Sequence, residues 1–255
     1  MLFSVIENAN TEIGERTMVD LEWSDGLVVL TIDRPHARNA IALSTMGELE
    51  EALDAAGGAQ AMVIRGGGDR AFVSGGDLKE LSALRTTEEA AAMASRMRTI
   101  CDRIAGFPAP VIAALNGHAL GGGAEVAVAA DIRVAADDIK IGFNQVSLEI
   151  MPAWGGAERL AALVGKSKAL LLAGSGTVLT AGEAERWGLI DRVVPRASFD
   201  DEWRALARSL ANRPAGPIKK VIGGVTPAEA IDAFAELWVS DEHWAAADRV
   251  MNRAK

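Results

Sequence analysis

The sequence predicts an α/β layered fold, and three observations carry that prediction. Short apolar runs alternate with stretches of helical period, glycine or proline punctuates most junctions between them, and beyond Pro195 the strand-like runs stop while helical patterns continue. With 255 residues, 49% apolar and 24% charged, the chain can bury one sizeable core and fits neither a disulfide-built miniprotein nor a disordered acidic tail. Its 26 basic and 35 acidic side chains leave a net charge of −9. No global basic field draws nucleic acid, so any anionic ligand must be held by local groups. The single cysteine, Cys101, cannot form an internal bridge, and Met1–Asn10 has neither a basic start nor a long apolar run, so a reducing, cytoplasmic setting is expected. The alanine-rich Ala109–Ala130 is broken by Asn116, His118, four glycines and Glu125, which argues against a membrane span.

In chain order, Met1–Thr17 has no period and is expected to be a loosely held extension. Met18–Trp23 alternates, Ser24-Asp25-Gly26 turns, and Leu27–Ile32 is apolar, which makes two strands around a turn. Ser44 or Thr45 is placed to cap a helix through Leu49, Leu53 and Ala56, ended by Gly57-Gly58, and Ala61–Ile64 reads as a short buried strand. A helix from Glu88 to Ile104, a strand at Pro110–Leu115, a helix after Gly123 and strands at Ile132–Ala135 and Leu189–Val194 continue the alternation. Thr180-Ala-Gly-Glu183 and Thr226-Pro-Ala-Glu229 each have the spacing in which two side chains satisfy one another's backbone N–H groups at a helix start. Ser198–Ala211 and Ala228–Asn252 are helical in pattern, divided by Pro214, Pro217 and Gly223-Gly224. The expected division is an extension over residues 1–17, a core over 18–195 and a helical region over 196–255. The last is too small to bury its own core and must pack on the body or on a neighbouring subunit.

Two glycine-bearing segments carry chemistry. Ala71-Phe-Val-Ser74-Gly75-Gly76-Asp77-Leu78 follows a strand and the Gly66-Gly67-Gly68 turn, and Asn116-Gly-His-Ala-Leu-Gly121-Gly122-Gly123-Ala-Glu125 joins an apolar strand to a helix. Three glycines at a strand-to-helix junction bare backbone N–H groups, and the helix start adds partial positive charge, so an oxygen gaining negative charge can be held there. If Gly76 contributes a second N–H, the two donors form an oxyanion hole, with Glu125 alongside as acid or base. On spacing alone, close packing or a phosphate cradle explains the same glycines, and Glu125 can simply complement the helix dipole. Neither a Gly-x-Gly-x-x-Gly after the first strand nor a P-loop is present. His36, His118, His243 and Cys101 are scattered, so no metal site is expected.

These segments, together with Arg34-Pro-His-Ala37-Arg38-Asn-Ala40, Pro152-Ala-Trp154-Gly-Gly-Ala-Glu-Arg-Leu160, Gly165–Leu170 and Thr180–Ile190, resemble in order and spacing the crotonase superfamily, the enoyl-CoA hydratase/isomerase family, from about Met18 to the C-terminus. The resemblance implies a ClpP-like spiral of ββα turns with a C-terminal helical trimerisation region, hence a homotrimer or hexamer, and a coenzyme A thioester as substrate with no separate cofactor. It implies that the Gly76 and Gly122 amides hold the thioester oxygen while an enolate forms, and that Glu125 is one of the hydratases' two glutamates. It also implies that Ala37, Arg38, Ala40, Ser74, Asp77, Leu78 and Lys79 belong to the stretches that contact the substrate.

The place of the second glutamate, counted back from Pro152, falls on Gln145, which neither gives nor takes a proton at neutral pH. Glu149, four residues on, can substitute only if its loop turns inward; otherwise it is a solvated carboxylate. Decarboxylation of an alkylmalonyl-CoA needs the oxyanion donors and one acid, and Leu148–Leu160 is similar to the ethylmalonyl-CoA decarboxylase branch, with Trp at position 154, although Trp154 also suits a core. The reading placed first is therefore an acyl-CoA lyase of decarboxylase type. Hydration or isomerisation, and acyl-CoA binding without turnover, stand as alternatives.

Overall fold

The computed structural model describes residues 17–253, so the expected N-terminal extension lies outside the described residues except for Thr17. Strands β1 (Val19–Ser24) and β2 (Leu27–Ile32) form a two-residue hairpin in which Asp25 and Gly26 both have positive φ, +48° and +77°, the turn geometry that matches strand twist. Helix α1 (Leu43–Ala55) starts earlier than the Ser44 or Thr45 cap expected. Ile41 is held extended by a bridge to Gly76, so Ala42 becomes the capping residue, and Thr45 enters the first turn with its hydroxyl accepting from the Ala42 N–H at 3.3 Å.

Next come β3 (Ala61–Gly66), β4 (Ala71–Val73), α2 (Leu78–Leu81), α3 (Thr87–Ala105), β5 (Val111–Leu115), β6 (His118–Leu120), α4 (Gly122–Ala127), β7 (Ile132–Ala136) and β8 (Lys140–Gly142). Each turn of chain lays one strand in each of two sheets and then a helix. The larger sheet has the order β1-β2-β3-β5-β7 and ends on β10 (Arg192–Val194); it is parallel from β2 onward. The smaller contains β4-β6-β8, parallel, with a register shift in β4 between Ala71 and Val73. This is the expected spiral. The parallel strands are buried on both faces and so read as continuous apolar runs, as in Val111–Leu115.

Asparagine amides fasten the corners of the spiral. Asn116, 2% exposed, accepts from Gly66 N–H and donates to the Gly66 and Gly68 carbonyls, which ties the end of β5 to the end of β3. Asn39 is fully buried, accepts from Arg34 N–H and donates to the Gly67 and Ala71 carbonyls.

The chain continues through a 3-10 turn (Asn144–Leu148), α5 (Gly156–Val164), α6 (Lys166–Ser175), β9 (Val178–Thr180), α7 (Ala181–Trp187) and β10 (Arg192–Val194). The Thr180–Glu183 start of α7 has both reciprocal bonds. The strand expected over Leu189–Val194 covers only its last three residues. Gly188 closes α7 at φ +81°, and the Leu189 and Ile190 N–H groups return to Ala184 O, so these two are buried as a helix-ending loop. Similarly, α4 begins at Gly122 and ends at Ala127, before the last apolar residue of its run.

Four helices complete the chain: α8 (Phe199–Ala211), α9 (Ala215–Ile222), α10 (Pro227–Trp238) and α11 (Asp241–Arg253). Helix α8 buries Phe199, Trp203, Ala207 and Ala211 along one face, and Arg65 of β3 lies 5.7 Å from the Trp203 ring. Pro217, read from sequence as a breaker, sits in the first turn of α9, where its missing N–H has no helical acceptor to lose. The single pattern over Ala228–Asn252 is two helices, because the Ser240 hydroxyl accepts from His243 N–H and starts α11 afresh. Helix α10 buries none of its side chains, and no helix among the described residues is long and apolar enough to cross a bilayer.

Candidate active site

The carboxyl ends of β4, β6 and β8, side by side and parallel, release three segments into one place: Ser74–Asp77, Gly121–Glu125 and Phe143–Glu149. Ile41 N–H bonds Gly75 O and Asp77 N–H bonds Ile41 O, both at 2.8 Å. The residue between them, Gly76, therefore turns its own N–H to the opposite side, because successive amides of an extended chain alternate. Gly121 takes φ +55° and ψ −120°, a conformation reserved for glycine, and so aims the Gly122 N–H as the first amide of α4, where no helical carbonyl can reach it. Among the described residues no backbone carbonyl pairs with either amide. A Cβ placed on Gly75 would stand 3.3 Å from Gly122 N, so the two loops touch.

Glu125 is 2% exposed and accepts three hydrogen bonds. Oε2 takes the Trp154 N–H at 2.7 Å and the Gly156 N–H at 3.0 Å, and Oε1 takes Gln145 Nε2–H at 2.9 Å. Gly156 is the first residue of α5, so its amide is one that the helix cannot use, and a Cβ there would overlap the Glu125 side chain. Burial pushes the Glu125 carboxyl above its ordinary value and outweighs the donors that pull it down. The Trp154 ring closes over Gly122, where a Cβ would overlap it.

A cavity of about 470 Å³ opens at this junction. Of the residues singled out from sequence, Ser74, Gly76, Leu78, Gly122, Glu125, Gln145 and Trp154 line it. Sequence reasoning missed its apolar wall, Leu81, Leu84, Ala90, Met93 and Ala94, and its one cation, Arg85; nothing in the α3 pattern separates a cavity-facing Met93 from a core one. Ala37, Arg38, Ala40, Asp77, Lys79 and Glu149 lie off this wall. Arg38 lines a neighbouring cavity of about 590 Å³ with Arg70, His118 and Arg196, and Ser74 borders both cavities. Arg34 is buried: Nη1 lies 2.6 Å from Ala40 O and 3.0 Å from Asp77, and Nη2 lies 2.8 Å from Glu80. Asp77 also caps α2 through the Glu80 N–H. Lys79 is exposed on α2. Glu149 closes the 3-10 turn at φ +56° and faces solvent; it is not turned inward. No group of three or more metal-ligating side chains occurs among the described residues.

The sequence matches the enoyl-CoA hydratase/isomerase family over residues 22–225. It is 39% identical over 199 residues to a probable enoyl-CoA hydratase of Bacillus subtilis, covering 76% of each chain. It is 37% identical over 199 residues to a crotonyl-CoA hydratase of Syntrophomonas wolfei, covering 76% of this chain and 75% of that one. Among solved structures, an enoyl-CoA hydratase from Bacillus anthracis superposes with a TM-score of 0.86 at 26% identity, over 93% of this chain and 97% of that one. One from Thermoplasma volcanium superposes with a TM-score of 0.81 at 31% identity, over 91% and 96%. Two glycine amides and a buried glutamate at the strand ends of a ββα spiral, together with this match over most of the sequence, place the chain in the enoyl-CoA hydratase/isomerase family, the crotonase superfamily of enzymes that act on acyl-CoA thioesters.

Proposed function

We propose that this enzyme adds water across the double bond of a 2-enoyl-CoA, with Glu125 as its only carboxylate. The observation that carries the proposal is the placement of a buried glutamate and two unpaired amides on one cavity wall. The thioester oxygen sits between the Gly76 and Gly122 N–H groups, each contributing about 2.7–4 kcal/mol as charge develops there. Glu125 takes a proton from water as the oxygen attacks the β-carbon, and the π electrons move into the enolate. The same carboxyl then returns that proton to the α-carbon, so one acid–base group serves both ends of the addition. Coenzyme A is part of the substrate, and no further cofactor is invoked. The names of the relatives support hydration, which reverses the order in which the sequence placed the two reactions.

A second reading is favoured by one observation, the neutral Gln145 at the place of a second glutamate. In it an alkylmalonyl-CoA loses CO₂, the electrons of the breaking C–C bond form the same enolate, and protonated Glu125 quenches it. Hydration of crotonyl-CoA and CO₂ release from ethylmalonyl-CoA, measured on the parent enzyme and on Glu125→Gln, test both. Hydration lost in the variant supports the first reading; CO₂ release without hydration moves the assignment to the second. Tight acyl-CoA binding with neither product leaves a binding protein. The apolar side chains exposed on α10 and α11, Ile231, Phe234, Trp238 and Val250 among them, are proposed to pack against further copies in a trimer or a pair of trimers.

A further inference from the structure

Among the described residues, three buried side-chain polar atoms have no hydrogen-bond partner: Arg65 Nε, Arg133 Nε and Gln145 Oε1. The two arginines are held through their other atoms. Arg133 pairs with Asp191 at 2.5 Å, and Arg65 lies 3.6 Å from Asp200 and beside the Trp203 ring. Gln145 Oε1 is the only acceptor of the three, and it belongs to the residue that binds the reactive carboxyl.

The bonds to Glu125 are unequal in kind. Oε2 is taken by two backbone N–H groups that cannot turn, which leaves it no room for a proton. Oε1 is taken by one donor alone, the Gln145 side-chain amide, which turns about a single bond and presents either an N–H or a carbonyl. With Gln145 Oε1 buried and unpartnered, the bond to Glu125 is the only side-chain hydrogen bond among the described residues that sets which way that amide faces.

We infer that Gln145 is a positioning residue that serves both forms of Glu125, donating through Nε2 to the carboxylate and turning by half a revolution to accept, through Oε1, from the carboxylic acid. The step moves one proton: an O–H bond of the attacking water breaks as the O–H bond forms on Glu125 Oε1, the hydrogen bond from Nε2 gives way to one from Glu125 Oε1–H to Gln145 Oε1, and both changes reverse when that proton passes to the α-carbon. A glutamate at position 145 would set two like charges side by side, whereas the neutral amide meets each state in turn. The inference rests on the part shared by both proposed reactions, that Glu125 passes through both protonation states.

The ionisable neighbours do not confuse the titration. Cys101 and Arg98 on α3 interact electrostatically with Glu125; the Cys101 thiol is pushed up to about 12 by burial, and Arg98 is held charged by Glu158. Glu158 and Arg159 on α5 pair with Arg98 and Asp102 of α3. Arg85 lines the same cavity. The only acid on the turn that carries Gln145 is its exposed terminal residue, Glu149.

Infrared difference spectra of the full chain across the acid range, with Glu125→Gln subtracted, isolate the Glu125 carboxylic-acid stretch and need no turnover. Gln145→Met removes the acceptor at similar length, and Gln145→Asn withdraws it by one methylene. The expected result is that both variants move the stretch to higher frequency, as for an acid that has lost its hydrogen bond, and lower kcat at least tenfold with KM within about twofold. A stretch unmoved in whichever variant folds overturns the inference, since the acid then does not donate to Gln145. Absence of all turnover by the parent enzyme, with the stretch still responsive, refutes the proposed reactions and leaves this pairing standing.

Discussion

Glu125 combines a short distance to three donors with near-complete removal from water, and the second effect wins. Its raised value has two measurable consequences. As a base it must be ionised, so the acid limb of kcat/KM should fall at a pH above the ordinary 4.5, and a limb at or below 4.5 would contradict that role. Because the folded chain holds this proton more tightly than the unfolded chain, stability from this group is full below the ordinary value and is lost as pH rises through the raised one. Glu125→Gln should therefore be inactive yet melt about 2–4 °C higher at neutral pH, an advantage that vanishes in acid; matched thermal scans at both pH values check it. Gly76 offers a cleaner test of the oxyanion donors than Gly122. A Cβ at Gly76 meets the flexible Leu81 Cδ1 at 2.8 Å and the Trp154 ring at an ordinary 3.9 Å, so Gly76→Ala should lose less than about tenfold in kcat, whereas Gly76→Pro, which deletes the N–H, should lose about 10²–10³-fold. That both glycines and Glu125 lie just past strand ends was legible in the sequence, because each segment is spelled out within a few residues. The Gln145 bond to Glu125 was not, since it joins two residues 20 apart that meet only once β6 and β8 pair.

At the scale of elements, legibility followed length and capping. The reciprocal Thr–Glu starts of α7 and α10 are spelled out within four residues and form as read. The smaller sheet was invisible: its strands span three residues each, too few to show a period of two. They persist because side-chain clips hold the turns that lead into them: Asn39 bonds the Ala71 carbonyl of β4, and Asn116 ties together the ends of β5 and β3, from which β6 and β4 follow. Asn116→Ala strands the Gly66 N–H and two carbonyls in a nearly dry corner, and denaturant unfolding should show a loss of about 1–3 kcal/mol. A loss below about 0.5 kcal/mol would mean that water replaces the amide there.

Across the whole molecule, the core around the two sheets is closed, but the last two helices are not. Phe234, Trp238, His243 and Trp244 stack on one another, with Phe234 61% and Trp238 47% exposed in the single chain. Burial of such a face against other copies predicts a particle several times the mass of one chain by light scattering, and Phe234→Glu with Trp238→Glu should shift it toward monomers while Glu125 keeps its hydrogen bonds. A monomeric parent enzyme would remove the trimer proposal. The sequence showed helices here but not their separation at Ser240, because a serine within a helical period carries no stop signal of its own.

The two amides proposed to face the thioester oxygen follow adjoining strands, β4 and β6. The strands that launch them are neighbours in a pleated lattice, about 4.8 Å apart whatever side chains they bear. The apolar wall proposed to meet the acyl tail comes instead from α2, α3 and the residues after β8, none of which belongs to that lattice. Substitutions there can retune which tail is accepted while the electrophile-gripping pair stays in gauge, so a change of diet in this scaffold does not require a change of engine.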